Sequence, residues 1–150
     1  MPFAPVPAPF RSGALLVGHG TRDAEGQREF LRTVAGVAAS LPEVAVQPCY
    51  LELVEPSIEQ GIERLLEQAV SRIVVAPLLL FAAGHAKRDV PRAIDTARRR
   101  FPHVEFVQAS HLGCHERLLE LSAERDRQAE RVGGATRDAG RGGKGADPDR

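Results

Sequence analysis

Apolar positions along the chain fall into two kinds of run. Short runs without alternation, at residues 14–17 and 73–81, predict strands covered on both faces. Longer stretches with apolar residues every three or four positions predict helices. The first covers residues 23–40, with Phe30, Leu31, Val34, Val37, Ala38 and Leu41 turned inward; Gly26 and Gly36 weaken it and Pro42 ends it. A second opens at Pro56 and Ser57, where Ser57 and Gln60 have the spacing of a capping box, and turns Ile58, Ile62, Leu65, Leu66 and Ala69 inward. A third, residues 91–100, has Asp89 as its cap, Ala93, Ile94 and Ala97 inward, and Arg98, Arg99 and Arg100 at the negative end of the helix dipole. A fourth covers residues 114–130 with Leu118, Leu119 and Leu121, and the apolar pattern stops beyond Arg131.

Two further strands fit between these helices. Residues 44–51 are mixed in character, and Pro48, which cannot donate to a ladder, predicts a sheet edge. Residues 104–109 form the other. Four strands alternating with four helices predict an α/β fold: a small doubly wound, four-stranded parallel sheet with helices on both faces, joined by right-handed crossovers, with the strand at 14–17 central.

Composition narrows the class. With 150 residues, 43% of them hydrophobic and 27% charged, the chain is long enough for one domain with a substantial core. Residues 1–11 hold four prolines and the last 18 residues hold six of the 14 glycines, so a Pro-rich disordered arm at 1–11 and a Gly/Arg-rich disordered tail at 132–150 are expected to flank a folded domain at 12–131. Residues 1–11 and 131–150 carry six of the basic residues and three of the acidic ones, which leaves 14 basic against 17 acidic between them. That balance, with six Phe, one Tyr and no Trp, gives no nucleic-acid footprint. No apolar run approaches the roughly 20 residues of a membrane span, and no basic segment followed by a long apolar one opens the chain, so a cytoplasmic protein without a membrane partner is expected. Cys49 and Cys114 belong to no Cys-x-x-Cys pair and are expected to be buried thiols.

Candidate chemistry collects where the strands end. Gly-His-x-x-Arg-Asp occurs at residues 18–23 and again at 84–89, each copy closing a strand and opening a helix. In an open parallel sheet, ligands sit beyond the carboxyl ends of the strands. His19, Glu52 and His85 all stand there. Two imidazoles and a carboxylate can ligate a divalent iron, cobalt, nickel or zinc ion, and the same groups accept protons near neutral pH. Glu55, next to Pro56, reads as a helix-start carboxylate, which leaves Glu52 as the chemical candidate. His111 follows the fourth strand and is expected at the cleft rim, whereas His115 and Cys114 lack ligand spacing. Arg22, Lys87, Arg88 and Arg92 gather around the two histidine loops as positive charge for carboxylates. Gly18-His19-Gly20 lacks the rest of a dinucleotide fingerprint, and no Gly-Lys-Ser/Thr phosphate loop occurs. A histidine phosphatase needs Arg before the histidine, where Gly18 stands.

At these residues the chain resembles the sirohydrochlorin chelatases, small class II chelatases that insert a divalent metal into a tetrapyrrole without ATP. Leu15-Leu16-Val17-Gly18-His19-Gly20-Thr21-Arg22 resembles the family's opening strand and loop, with Thr21 where Ser is more usual. Leu51-Glu52-Leu53-Val54-Glu55-Pro56-Ser57-Ile58 resembles the second signature. The third is matched by Val75-Ala76-Pro77-Leu78-Leu79-Leu80 with Gly84-His85-Ala86-Lys87-Arg88-Asp89-Val90-Pro91. The resemblance covers about residues 14–128 and implies the class II chelatase fold. It implies that His19 and His85 handle the metal and accept protons, that Glu52 is their acidic partner, and that Arg22, Lys87, Arg88 and His111 meet the substrate. It further implies sirohydrochlorin as partner, Fe2+, Co2+ or Ni2+ as a substrate, and no permanently bound cofactor. The third signature looks closest to the ferrochelatase branch, so iron insertion for sirohaem is expected; cobalt insertion for cobalamin, or a non-catalytic metal or tetrapyrrole carrier, are the alternatives. There is no histidine-rich tract and no carboxyl-terminal iron-sulfur cysteine motif. Longer members carry two such domains, so a chain with one is expected to form a homodimer.

Overall fold

A computed structural model of the chain describes residues 11–81, 84 and 86–139. His85, residues 1–10 of the expected arm and residues 140–150 of the expected tail lie outside the described residues. Strands β1 (Ser12–Gly18), β2 (Ala45–Tyr50), β3 (Arg72–Pro77) and β4 (Glu105–Gln108) alternate with helices α1 (Ala24–Ser40), α2 (Ile58–Leu66), α3 (Ala86–Arg100) and α4 (Glu116–Ala139). All strand pairs are parallel and the sheet order is β2-β1-β3-β4. The expected four-stranded parallel α/β sheet is therefore the observed one, with β1 inside and the Pro48-bearing β2 at an edge.

The described residues fall into two compact units, one ending at Gly113 and the other beginning at Cys114. In the first, β1 feeds both faces of the sheet because alternate side chains point opposite ways. Leu15 and Val17 join Ile58, Ile62 and Leu65 of α2, Val90, Ile94 and Ala97 of α3, and Ile73, Val75 and Phe106 in the larger cluster. Ala14 and Leu16 point to the other face, where Val34 of α1 is buried and Phe30 and Val37 are half-buried. Leu31 and Leu41, expected inward, are 46% and 43% exposed, so α1 docks through a narrower stripe than its periodicity allows. Gly61 lets α2 lie close to the sheet: a Cβ there would stand 2.6 Å from Leu15 Cδ1 and 3.0 Å from Cys49 Cβ. Cys49 is buried as expected, and burial pushes its thiol pKa up to about 12, whereas Cys114 is exposed, against expectation.

The capping box predicted for α2 forms, and α1 is capped as well. The Asp23 carboxylate accepts from Gly26 N–H at 2.7 Å. Ser57 and Gln60 make the reciprocal bonds of a capping box. The third helix departs from expectation, since α3 begins at Ala86 and places Asp89 in its first turn rather than at its cap. Val90 is 1% exposed and shares a stripe with Ile94 and Ala97, so burial of Val90 extends the helix amino-terminal to Pro91.

In the second unit α4 starts at Glu116, not at Cys114, because His115 caps it: His115 Nδ1 accepts from Arg117 N–H at 3.3 Å. It runs to Ala139, past Arg131, where the apolar pattern stops. Among the described residues no helix is long and apolar enough to cross a membrane.

Candidate functional site

The sheet order puts a topological switch point between β1 and β3, from which the chain winds outward in both directions, and ligands are expected just past the strand ends there. β1 runs out at Gly18 and β3 at Pro77, so the segments that flank this opening are residues 18–23 and 78–81. Together with α1 they enclose a cleft of about 470 Å³ lined by Gly18, His19, Gly20 and Thr21 on one side, residues 78–81 on the other, and Gln27, Phe30 and Tyr50 behind.

The expected strand at 73–81 thus ends four residues early. β1 stops at Gly18 and β4 at Gln108, so beyond the Leu78 N–H bond to Val17 O at 2.8 Å residues 78–81 leave the strand ladder, and Leu79 O and Leu80 O accept instead from the loop N–H groups of Leu112 and Gly113. Leu80 and Phe81 are 54% and 69% exposed. They form an apolar wall at the cleft mouth instead of a strand interior. Phe30 and Tyr50, whose ring centroids are 5.0 Å apart, extend the apolar lining. Sequence reading missed all four as site residues, because an apolar side chain in a helix stripe or a strand is indistinguishable from core until the neighbouring strands are known to end.

Parallel pairing of β1 with β2 aligns Gly18 with Tyr50 and carries on past both strands: Leu51 N–H donates to Gly18 O at 3.0 Å and Glu52 N–H to His19 O at 3.2 Å. This zipper brings His19 and Glu52 side by side, His19 Nε2 lying 3.6 Å from Glu52 Oε1. The turn after His19 needs Gly20. Its φ of +102° is outside the range of L side chains, and a Cβ there would collide with the Glu52 carbonyl oxygen. Opposite it, Leu53 is held at φ +70° by a bond from Val54 N–H to Glu52 O at 2.9 Å, a strained non-glycine turn of the kind that collects at functional sites. With its proton on Nδ1, His19 donates to Gly20 O 3.4 Å away and leaves the Nε2 lone pair outward. Both side chains are more than half exposed, so water or a ligand atom can reach them.

The remaining predicted residues separate into groups. Lys87 and His111 line a second cleft, of about 350 Å³, with Pro77, Leu79, Gln108, Ala109 and Ser110 beyond the ends of β3 and β4. Arg22 is exposed on the loop that follows His19 and does not line the cleft. Arg88 lines a groove on the outer side of α3 with Lys87, Arg92 and Arg99, and neither strand-end cleft. Glu55 accepts from Gln60 Nε2 at 3.5 Å beside the start of α2, in the helix-start position expected of it. Among the described residues no three His, Cys, Asp or Glu side chains converge as a metal cage; His19 and Glu52 are two, and His85 lies outside them. An apolar groove of about 280 Å³ between α2 and α3 shares no lining residue with either strand-end cleft; of the candidate residues it holds only Arg92.

The CbiX family model matches residues 13–129. The chain is 39% identical over 113 residues to the sirohydrochlorin cobaltochelatase of Priestia megaterium, covering 75% of this chain and 36% of that protein. It is 36% identical over 116 residues to the sirohydrochlorin ferrochelatase of the same organism, covering 77% of this chain and 44% of the other. The sirohydrochlorin chelatase SirB from Bacillus subtilis subspecies spizizenii, solved in complex with cobalt, superposes with a TM-score of 0.75 at 33% identity over 79% of this chain and 51% of that one. The chain therefore spans less than half the length of these two curated relatives.

Proposed function

The chain belongs to the CbiX family, the sirohydrochlorin chelatases, and from that premise we propose that it inserts a divalent metal ion into sirohydrochlorin without nucleotide. The observation that carries the proposal is the His19–Glu52 pair, 3.6 Å apart, with His19 lining an apolar cleft at the sheet's switch point. A flat macrocycle presents an apolar face. The wall made by Leu78, Leu79, Leu80 and Phe81, with Phe30 and Tyr50 behind, can take that face while polar groups at the rim work on its centre.

Insertion requires two pyrrole protons to leave as M2+ enters. His19 Nε2 is the proposed acceptor of one, and Glu52 beside it stabilises the imidazolium that results. His85, which follows β3 in the chain, is the proposed second imidazole. Two imidazoles and a carboxylate would also hold the incoming ion by few enough bonds to release it; a closed four-ligand cage would retain it. The metal is thus substrate, no resident cofactor is invoked, and iron is proposed as the physiological ion, with cobalt the alternative. Arg22 is proposed to meet carboxylates at the periphery, as is Arg88 where the substrate extends over α3. We further propose a cytoplasmic homodimer in which a second copy covers the open cleft.

Anaerobic incubation of purified protein with sirohydrochlorin and Fe2+, Co2+ or Ni2+ in turn, followed by absorption against a metal-only control, tests the reading. Acceleration with iron or cobalt is expected, strongly reduced in His19→Ala and His85→Ala and less reduced in Glu52→Ala. Stoichiometric pigment binding with no turnover would identify a carrier instead, and full activity in both histidine variants would remove the site assignment.

A further inference from the structure

Two clefts open at the carboxyl edge of the sheet, and Leu79 lines both. On one side is the apolar cleft with His19. On the other is the cleft of Lys87, Ser110 and His111, whose lining among the described residues has no Asp or Glu. The dividing strip is held in place: Leu112 N–H donates to Leu79 O at 3.0 Å and Gly113 N–H to Leu80 O at 2.8 Å. Gly113, at φ +57°, turns the chain so that the His111 ring lies against it, 3.5 Å from where a Cβ would stand. The loop that carries His111 is thereby fixed to the strip that walls the first cleft.

We infer that the second cleft is a carboxylate subsite, in which the Lys87 ammonium, the His111 imidazole and the Ser110 hydroxyl receive an acidic side arm of a ligand whose ring lies in the first cleft. The chemistry is one-sided. Lys87 brings a point positive charge and three donors, Ser110 and His111 bring further donors, and among the described residues no carboxylate lines this cleft, Asp95 lying in the α3 groove that Lys87 also borders. A ring that straddles Leu79 and Leu80 would reach both clefts without moving backbone. This subsite would fix the rotation of the ring over His19 and select acidic pigments over uncharged ones. The inference rests on the chelatase reading for the identity of the ring, and concerns binding rather than insertion.

Equilibrium binding of metal-free sirohydrochlorin and of its methyl-esterified form, read from the pigment's absorption, tests it alongside turnover. Lys87→Met is expected to weaken binding of the acid about tenfold and His111→Leu about fivefold, both to leave the ester unaffected, and Lys87→Arg to restore acid binding. With saturating pigment, kcat of the two weakened variants should stay within about twofold of wild type, the loss appearing in KM. Acid binding unchanged in Lys87→Met and His111→Leu, or equal losses for acid and ester, would overturn the subsite. Wild-type protein that binds the acid through Lys87 and yet inserts no metal would keep the subsite and defeat the chelatase reading. Normal insertion with unaltered acid binding in both variants would do the reverse.

Discussion

Replacing Gly20 by alanine tests the link between backbone geometry and the reacting pair. At φ +102° an L side chain is strained by about 1–3 kcal/mol. The new Cβ also meets the Glu52 carbonyl oxygen, which is backbone and cannot rotate away. Relief requires the 18–23 loop to part from the 51–54 loop, at the expense of the Glu52 N–H bond to His19 O, worth about 0.5–1.5 kcal/mol. The total is about 2–4 kcal/mol, or a fall in Tm on the order of 10 °C for a domain of this size. Parting the loops also separates Nε2 of His19 from Oε1 of Glu52, so turnover should drop at least about tenfold even where the protein is fully folded. Gly36→Ala is the matched comparison. It sits in α1, where a Cβ would meet nothing within 4 Å beyond the local helix backbone, and it should stabilise by about 0.5–1 kcal/mol with unchanged turnover. Thermal melting and pigment metallation of the two variants would refute the reasoning if Gly20→Ala melted and turned over like wild type.

Further substitutions probe the rest of the frame. Ser57→Ala removes the cap of α2 and should cost about 1 kcal/mol in urea denaturation while leaving the His19–Glu52 pair, and hence turnover, intact. Leu15→Ala, at a fully buried position in the larger cluster, should cost about 2–5 kcal/mol, and a loss under about 1 kcal/mol would contradict the packing described. Burial pushes the Cys49 thiol from its ordinary 9.0 up to about 12, so the folded protein binds more protons than the unfolded chain between those values. Its stabilising contribution is full below pH 9 and is lost as pH rises toward 12; urea midpoints should decline above pH 9 and do so less steeply in Cys49→Ala. Brief alkylation at pH 8 should modify Cys114 and spare Cys49, with a single adduct by mass spectrometry; two adducts on folded protein would contradict the burial.

Element identity was legible in the chain because it depends on nearest-neighbour chemistry. Unbroken apolar runs gave β1 and the first part of β3, three- and four-residue spacing gave the helices, and the Ser57–Gln60 pair marked the start of α2 with its own side chains. Even the sheet order was foreshadowed by Pro48, whose missing donor suits the edge position of β2. The ends of elements were less legible. Val90 draws α3 back to Ala86 only because β-sheet and α2 residues are there to bury it, and residues 78–81 leave the sheet only because β1 and β4 stop short of them.

The site divides in the same way. That His19 and Glu52 follow strands could be read from the amino-acid order, but their meeting at 3.6 Å comes from the register of β1 on β2 and from two positive-φ turns, at Gly20 and Leu53, which face each other across the loops. Likewise, Lys87 and Arg88 are adjacent in sequence and equally basic, yet only Lys87 lines the cleft that holds His111. Local patterning sets which segments become strands and helices, since it needs only the spacing of side chains along one element. Which side chains share a cleft is set by strand register, strand length and helix phase together, and those are fixed only when the whole sheet closes.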